Sequence, residues 1–324
     1  MITRKDIAAH LEANVRTGFL LGMKEYTPLR APFAREVPST GAFEVYTDMG
    51  SSPWPTQNAG KAGAGGTDAR IGAPEVNKIN AGRQITVWGG GEVALKVNNL
   101  DYEIAIGITH NAIDDDKAGD LETWARQAAR TFQKHKDYLC FHALNSGQAT
   151  TNYGAGYDGV AFFAATHVDP NAPYQTAQDN EYTLTLSLDN YETVKVAASK
   201  VLDGQGQPAG LNHNLLIVPP DLERTGAQIW ANREAYDTAN REMNPYAGSV
   251  RGLVAPGGWL DTTAWFVVDP NDLVKPLILQ NRKEPELSLV DDEFAGDGGV
   301  RYFIWKARYT VAYGSWRHCF QGNS

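Results

Sequence analysis

The sequence predicts an α+β protein, and three stretches carry that prediction. Leu100, Tyr102, Ile104, Ile106 and Ile108 alternate with Asp101, Glu103, Ala105, Gly107 and Thr109, the period of two of a half-buried strand. After the acidic run Asp114, Asp115, Asp116 and then Asp120, the residues Leu121, Trp124, Ala128, Phe132, His135, Leu139 and His142 fall on one helical face that continues to Leu144. Near the end of the chain Phe303, Trp305, Ala307, Tyr309, Val311 and Tyr313 alternate again. A strand, a helix roughly 35 Å long and a late strand that can pair with the first predict a sheet with a helical spine.

The remaining elements follow in chain order. Residues 3–22 read as an amphipathic helix with Ile7, Leu11, Val15 and Phe19 on one side, Thr3 as N-cap and Gly22 as its stop. Pro28, Pro32 and Pro38 keep the next stretch extended, so this segment resembles an arm rather than a core element. Between Gly41 and Gly91 glycine recurs, and Ser51 to Gly66 offers almost nothing for a core. A structureless loop longer than about 12–15 residues is uncommon inside a compact domain and usually serves binding. Its flanks, Phe43 to Tyr46 and Gln84 to Trp88, are expected to pair as the strands of a long projecting hairpin.

From Leu186 the pieces are shorter. Asp189 with Glu192 suggests a capping box that opens a helix with Tyr191, Val194, Ala198 and Val201 on one face, closed by Gly204. Leu215 to Val218 is a short buried strand, and Pro219 and Pro220 lead into a helix over Asp221 to Ala231. Val250 to Val254, Thr263 to Val268 and Leu277 to Gln280 read as further strands. These pieces form an α+β insert of about 100 residues, an ordinary domain size.

Composition narrows the function. With 29 Lys and Arg against 38 Asp and Glu, the formal charge is −9, the opposite of what phosphate-gripping modules carry. Cys140 and Cys319 stand far apart with no paired spacing, which predicts two buried thiols rather than a disulfide or a zinc site. No apolar run spans a bilayer, and His10, Glu12, Asn14 and Arg16 interrupt any signal-peptide core.

No pattern for catalysis stands out. The run Gly60-Lys61-Ala62-Gly63-Ala64-Gly65-Gly66 lacks the spacing of a phosphate loop. His110 with Asp114, Asp115 and Asp116 is better read as an acidic helix start than as a metal cluster. His135 and His142 lack a metalloprotease pattern and read as satisfied core or interface histidines, while His167 sits in a turn-like stretch with Asp169 and Pro170. No nucleophile elbow occurs, and Asp291 with Asp292 reads as a solvated turn. We therefore expect no catalytic, cofactor-binding or metal-binding residues and no cofactor. The arm, the Gly-rich projection and eight tryptophans instead ask for partner subunits.

At this point the residues resemble the Mu-like phage major head subunit family. The run Val274-Lys275-Pro276-Leu277-Ile278-Leu279-Gln280-Asn281-Arg282-Lys283-Glu284-Pro285-Glu286-Leu287 is similar to a signature of that family. So are Tyr102 to Ile108 with Asn111, Ile113 and Asp114 to Asp116, then Tyr157-Asp158-Gly159-Val160-Ala161-Phe162-Phe163 with His167, and the late Tyr313-Gly314-Ser315-Trp316. The matches keep the family order from about residue 95 onward. They depart from it at Val168, where the family often has Pro, and the first 90 residues give no match.

The resemblance implies the Hong Kong 97-type capsid fold. Residues 1–40 would be the N-terminal arm, 41–95 the extended loop, 96–185 with 286–324 the peripheral domain with its spine helix, and 186–285 the axial domain. It implies a head subunit made in the host bacterial cytoplasm and incorporated into the virion. Homo-oligomeric hexamers and pentamers would close an icosahedral shell around double-stranded DNA that is not bound specifically. Scaffolding, portal and decoration proteins would be its partners, with no membrane. Phe19, Trp54, Lys61, Trp88, Arg282 and Glu284 are the candidates for inter-subunit contact. Lys61 is the only lysine near the loop tip, and nothing in the residues assigns crosslinking chemistry to it. A tail or decoration protein would lack the order of spine helix and insert, and a hydrolase would need a pocket of clustered ionisable groups.

Overall fold

The computed structural model describes residues 4–48, 76–79, 83–86, 93–109, 118–168, 176–204, 206–233, 243–271, 273–292 and 299–324. Side chains of Trp54, Lys61, Trp88, His110 and Asp114 to Asp116 lie outside the described residues, as do Ser51 to Gly66. The chain forms two compact units, residues 1–44, 97–142 and 278–312 in the first and 45–96, 143–277 and 313–324 in the second. These borders differ from the sequence-drawn breaks after 185 and 285. The difference arises where three long elements, introduced below, run across the unit borders.

The first unit is a four-stranded sheet with two helices. Strands β1 (Ala34–Pro38), β6 (Leu100–Thr109), β11 (Leu277–Asp292) and β12 (Val300–Tyr313) stand in the order β1-β11-β12-β6. The two alternating stretches pair antiparallel over their whole length, from Val300 opposite Thr109 to Tyr309 opposite Leu100. Alternation puts Phe303, Trp305, Ala307, Tyr309 and Val311 on the buried face. On the other face Lys306 lies opposite Glu103 and pairs with it at 3.0 Å, and Arg308 pairs with Asp101, cross-strand ion pairs that favour this register. Leu100, expected on the core face, is exposed instead. β11, expected to end at Gln280, continues for twelve more residues, through charged side chains and Pro285.

The two helices are α1 (Arg4–Glu25) and α2 (Ala118–Asn145), which crosses into the second unit at Ala143. Twenty-eight residues make α2 about 42 Å long. Its buried stripe is Leu121, Ala125, Ala128, Ala129, Phe132, Cys140 and Phe141, one residue out of phase with the expected face. Trp124 is 45% exposed. The stripe is made of small residues because α1 crosses there. A Cβ on Gly18 would stand 2.7 Å from the Glu122 carbonyl oxygen, and one on Gly22 would stand 2.4 Å from that of Arg126.

Gly22 is therefore a packing glycine inside a helix that runs on to Glu25, not its stop. Gly22→Ala tests this by sign. Helix propensity alone would stabilise by about 1 kcal/mol, whereas overpacking against backbone is expected to cost about 1–3 kcal/mol. A denaturation midpoint that rises in the variant would sink the close-crossing account. α1, expected as an arm segment, buries Val15 and Phe19 in this unit. Phe19 stacks on Trp305 at 5.3 Å and meets Phe132 edge-on at 6.3 Å.

The second unit is built on a five-stranded sheet. Its strands are β7 (Glu181–Tyr182), β8 (Leu215–Val218), β9 (Arg251–Val254), β10 (Trp265–Val268) and β13 (Cys319–Gly322), ordered β7-β13-β10-β8-β9. The central β8 and β10 are buried along their whole length, as continuous apolar runs should be when both faces are covered. Helices α3 (Leu188–Ser199) and α4 (Glu223–Trp230) belong to this unit. The α3 cap is Ser187, whose hydroxyl accepts from the Asn190 amide at 3.1 Å, a simple N-cap two residues before Asp189 in place of the expected capping box. α4 is shorter than expected because Pro220–Leu222 forms a 3₁₀ turn before it.

Two short pairs complete the description, β2 (Phe43–Asp48) with β5 (Val93–Asn98) and β3 (Val76–Ile79) with β4 (Arg83–Thr86). The expected partner of Phe43 to Tyr46 was 84–88. The observed partner lies further along, and the 83–86 strand pairs locally with 76–79.

Candidate functional site

Three polar constructions stand out from the apolar packing. The first joins the arm segment to α2 and β11. Asp137 is fully buried and accepts from the Tyr26 hydroxyl at 2.7 Å, the Leu29 amide at 2.9 Å and Arg30 Nη1 at 2.8 Å. Arg30, itself buried, also donates to Gln133 Oε1 at 3.0 Å and pairs with Glu36 at 3.3 Å. Burial, then the bond to Asp137, pushes the Tyr26 hydroxyl well above its ordinary range. Neighbouring Lys136 is fully buried too, with Nζ 3.2 Å from both Glu284 oxygens, 3.6 Å from Glu36 and 5.3 Å from the centre of the Tyr309 ring. Asn281 donates to Glu36 at 3.0 Å and also to Glu284. Each charge thus has an opposite charge or several donors, the condition for burying it at all.

The second construction lies at the root of the β2–β5 pair. Glu44 Oε1 accepts from the Ser39 hydroxyl at 2.9 Å, the Thr40 amide at 2.8 Å and the Gly41 amide at 3.0 Å. The two backbone donors, then Ser39, hold its carboxyl below the usual range. Asn99, buried, donates to Ser39 Oγ and the Gly41 carbonyl, both at 3.0 Å, and its own carbonyl accepts from Gln280 at 2.8 Å. The chain therefore enters and leaves the 41–99 excursion through a hydrogen-bonded collar.

The third construction explains the Tyr157 to His167 motif. His167, expected in an ordinary turn, is fully buried and stacks on Trp316 at 4.3 Å. Asn180 Nδ2 donates to the carbonyls of Phe162 at 2.9 Å and Cys319 at 3.1 Å. That leaves its Oδ1 as the acceptor facing His167 Nε2 at 3.0 Å. On the other side Nδ1 meets Asp158 Oδ2 at 2.5 Å, so the ring is held between an amide oxygen and a carboxylate. Arg317 donates to the Tyr157 hydroxyl at 2.8 Å. The motif is a buried fastening, and the distant Asn180 and Trp316 are the partners that sequence alone did not connect to it.

The sites read as unreactive are enclosed. Cys140 and Cys319 are buried and unpaired, and burial pushes both thiols well up. His135 Nδ1 lies 2.8 Å from the Tyr309 hydroxyl, and burial lowers its pKa. Among the described residues no group of three or more His, Cys, Asp or Glu could hold a metal ion, and no helix is long and apolar enough to cross a membrane.

The contact candidates divide. Phe19 is buried in its own chain's core, against Trp305 and Phe132. Glu284 is half-exposed while pairing with Lys136, and Arg282 is half-buried. Sequence reasoning passed over several exposed apolar side chains: Leu20, Phe43, Val45, Met243 and Leu273, the last two at 84% and 80% exposure.

The profile of the phage capsid protein family matches residues 95–321. No curated protein sequence matches the chain. Among solved structures it is similar to the procapsid subunit of bacteriophage JBD30, with TM-score 0.54 and 18% identity over 100% of this chain and 76% of that one. It is also similar to the capsid subunit of an empty GTA particle, with TM-score 0.52 and 14% identity over 92% of this chain and 90% of the other.

Proposed function

The chain belongs to the phage capsid protein family and has the Hong Kong 97-type fold, and from that premise we propose that it is a major head subunit of the Mu-like type. The observation that carries this reading is the family match over residues 95–321, which takes in the α2 spine, three strands of the four-stranded sheet and all but the last residue of the five-stranded one. The work of such a subunit is mechanical rather than catalytic. Copies made in the host cytoplasm associate into hexamers and pentamers and close an icosahedral shell in the virion. One relative of this fold was solved as a capsid with fivefold symmetry.

Residues 1–40 act as the arm in this reading and the 41–95 excursion as the extended loop. The α2 spine with the four-stranded sheet does the work of the peripheral domain, and the five-stranded sheet that of the axial domain. The exposed Leu20, Phe43, Val45, Met243 and Leu273, with Arg282 and Glu284, supply contact surface. Trp54, Lys61 and Trp88 on the loop add to it. Apolar groups left bare on one subunit gain about 25 cal/mol per Å² when a neighbour covers them. The excess of acidic groups keeps each subunit's hold on the genome weak. Scaffolding, portal and decoration proteins complete the assembly.

The test is negative-stain electron microscopy of the expressed protein, alone and with neighbouring phage genes. Closed shells, tubes or capsomer rings are expected. A monomer under all those conditions would overturn the reading.

A further inference from the structure

The outward side of α2 carries a feature that neither its core stripe nor the Asp137 network uses. Arg126, Arg130 and Lys134 follow one another at intervals of four residues, and Thr123, Gln127 and Thr131 do the same beside them. With Tyr26 these six line a groove of about 480 Å³. No carboxylate lines it. Four helical residues rise about 6 Å, so the three cations span about 12 Å, the axial length of three or four phosphates on one DNA strand.

Carboxylates already reach the rim of this groove. Glu25 lies 2.5 Å from Arg130 and 3.7 Å from Arg126, and Glu122 lies 3.1 Å from Arg126. The Arg126 and Arg130 side chains are 36% and 55% exposed, so these are solvent-screened pairs of small energy that an incoming anion can replace. One carboxylate bridging two guanidinium groups also shows that the spacing accommodates an anionic group between them.

We propose that this groove holds successive phosphates of the DNA backbone through Arg126, Arg130 and Lys134, without reading base sequence. The proposal rests on the head-subunit reading for its source of DNA. The lining favours nucleic acid over a protein segment. Protein partners anchor on apolar and aromatic side chains in desolvated pockets, and here the only ring is that of Tyr26. Backbone phosphates need only cations and neutral donors. A charge of −9 on the whole chain keeps each contact weak, and many copies on one genome add them together.

The experiment is fluorescence anisotropy of a mixed-sequence 30-base-pair duplex with full-length protein, between 50 and 200 mM salt. Wild type is compared with the triple variant R126Q/R130Q/K134Q and with Glu25→Gln. Three phosphate contacts at a slope of about 0.9 each predict that wild type loses about 40-fold more affinity over that range than the triple variant. Glu25→Gln, which removes the carboxylate that bridges Arg126 and Arg130 and leaves Glu122, is expected to bind more tightly than wild type. An unchanged salt slope in the triple variant, or no gain in Glu25→Gln, overturns the proposal. Should the triple variant fail to fold, Glu25→Gln alone still decides. Polyglutamate binding that the triple variant loses, with DNA binding intact, overturns it too and assigns the groove to an acidic polypeptide. Absence of assemblies in the microscope marks failure of the head-subunit reading instead.

Discussion

Replacing Asp137 with alanine is expected to destabilise the protein by about 3–5 kcal/mol, the cost of leaving a buried charge without its partner. Arg30 would keep its burial and lose the carboxylate at 2.8 Å, and the Tyr26 hydroxyl and the Leu29 amide would lose their acceptor. The neighbouring buried charge makes an internal comparison. Lys136 is as buried as Asp137, but its partners Glu284 and Glu36 are 55% and 44% exposed. Lys136→Met leaves those carboxylates in water and keeps an apolar stem in place, so about 1 kcal/mol or less is expected. The two variants thus separate desolvation from charge count. Chemical denaturation with midpoint and slope both fitted measures each. Equal losses in the two would show that Arg30 finds water or another partner, and would remove the Asp137 network as the fastening of the arm segment.

That network was illegible in the sequence for a physical reason. A helical face is read by apolar spacing, and Gln133, Lys136 and Asp137 interrupt the stripe between Phe132 and Phe141. Their presence pushed the expected face one residue over, onto Trp124, His135 and Leu139. A buried charge is stable only through partners far along the chain, here Arg30, Glu36 and Glu284, and spacing carries no information about them. The same limit hid His167, whose motif was visible but whose partners Asn180 and Trp316 come from other segments. β11 runs past the expected end because its charged residues and Pro285 erase the strand signal, although β1 and β12 pair with it on either side. Strands β6 and β12 and their pairing were legible, apart from the exposed Leu100, since alternation fixes the face and cross-strand charges agree with the register. Gly18 and Gly22 carry a signal that reading Gly22 as a helix stop misses. Two glycines four apart inside an amphipathic pattern mark a close helix crossing, here against the backbone of Glu122 and Arg126 and the Ala129 side chain.

The second large effect is a dependence on pH that His213 imposes on the second unit. Its Nε2 lies 2.8 Å from the Arg317 carbonyl, to which it donates, while Nδ1 is buried without a partner. The ring also meets Phe320 edge-on at 5.1 Å. Burial lowers its pKa from 6.5 to about 4, against the opposing pull of the Arg317 carbonyl and Asp269, and with the help of His318 and Lys195. The unfolded chain therefore takes up a proton at this residue before the folded one does. Stability from this group is complete above pH 6.5, falls as pH drops, and is lost in full near pH 4, a change of about 3 kcal/mol. Acidification supplies the Nδ1 proton with no acceptor to receive it, which is why the folded state resists it. His213→Gln retains an N–H for the Arg317 carbonyl and removes the titration. Urea unfolding of both proteins at pH 7 and pH 4 isolates the term, because every other carboxylate and histidine contributes equally to the two. The gap between wild type and variant is expected to shift by about 3 kcal/mol in the variant's favour on acidification. A gap that stays constant would mean that water or a rearranged His318 reaches Nδ1, and that the ring titrates as it does in the unfolded chain.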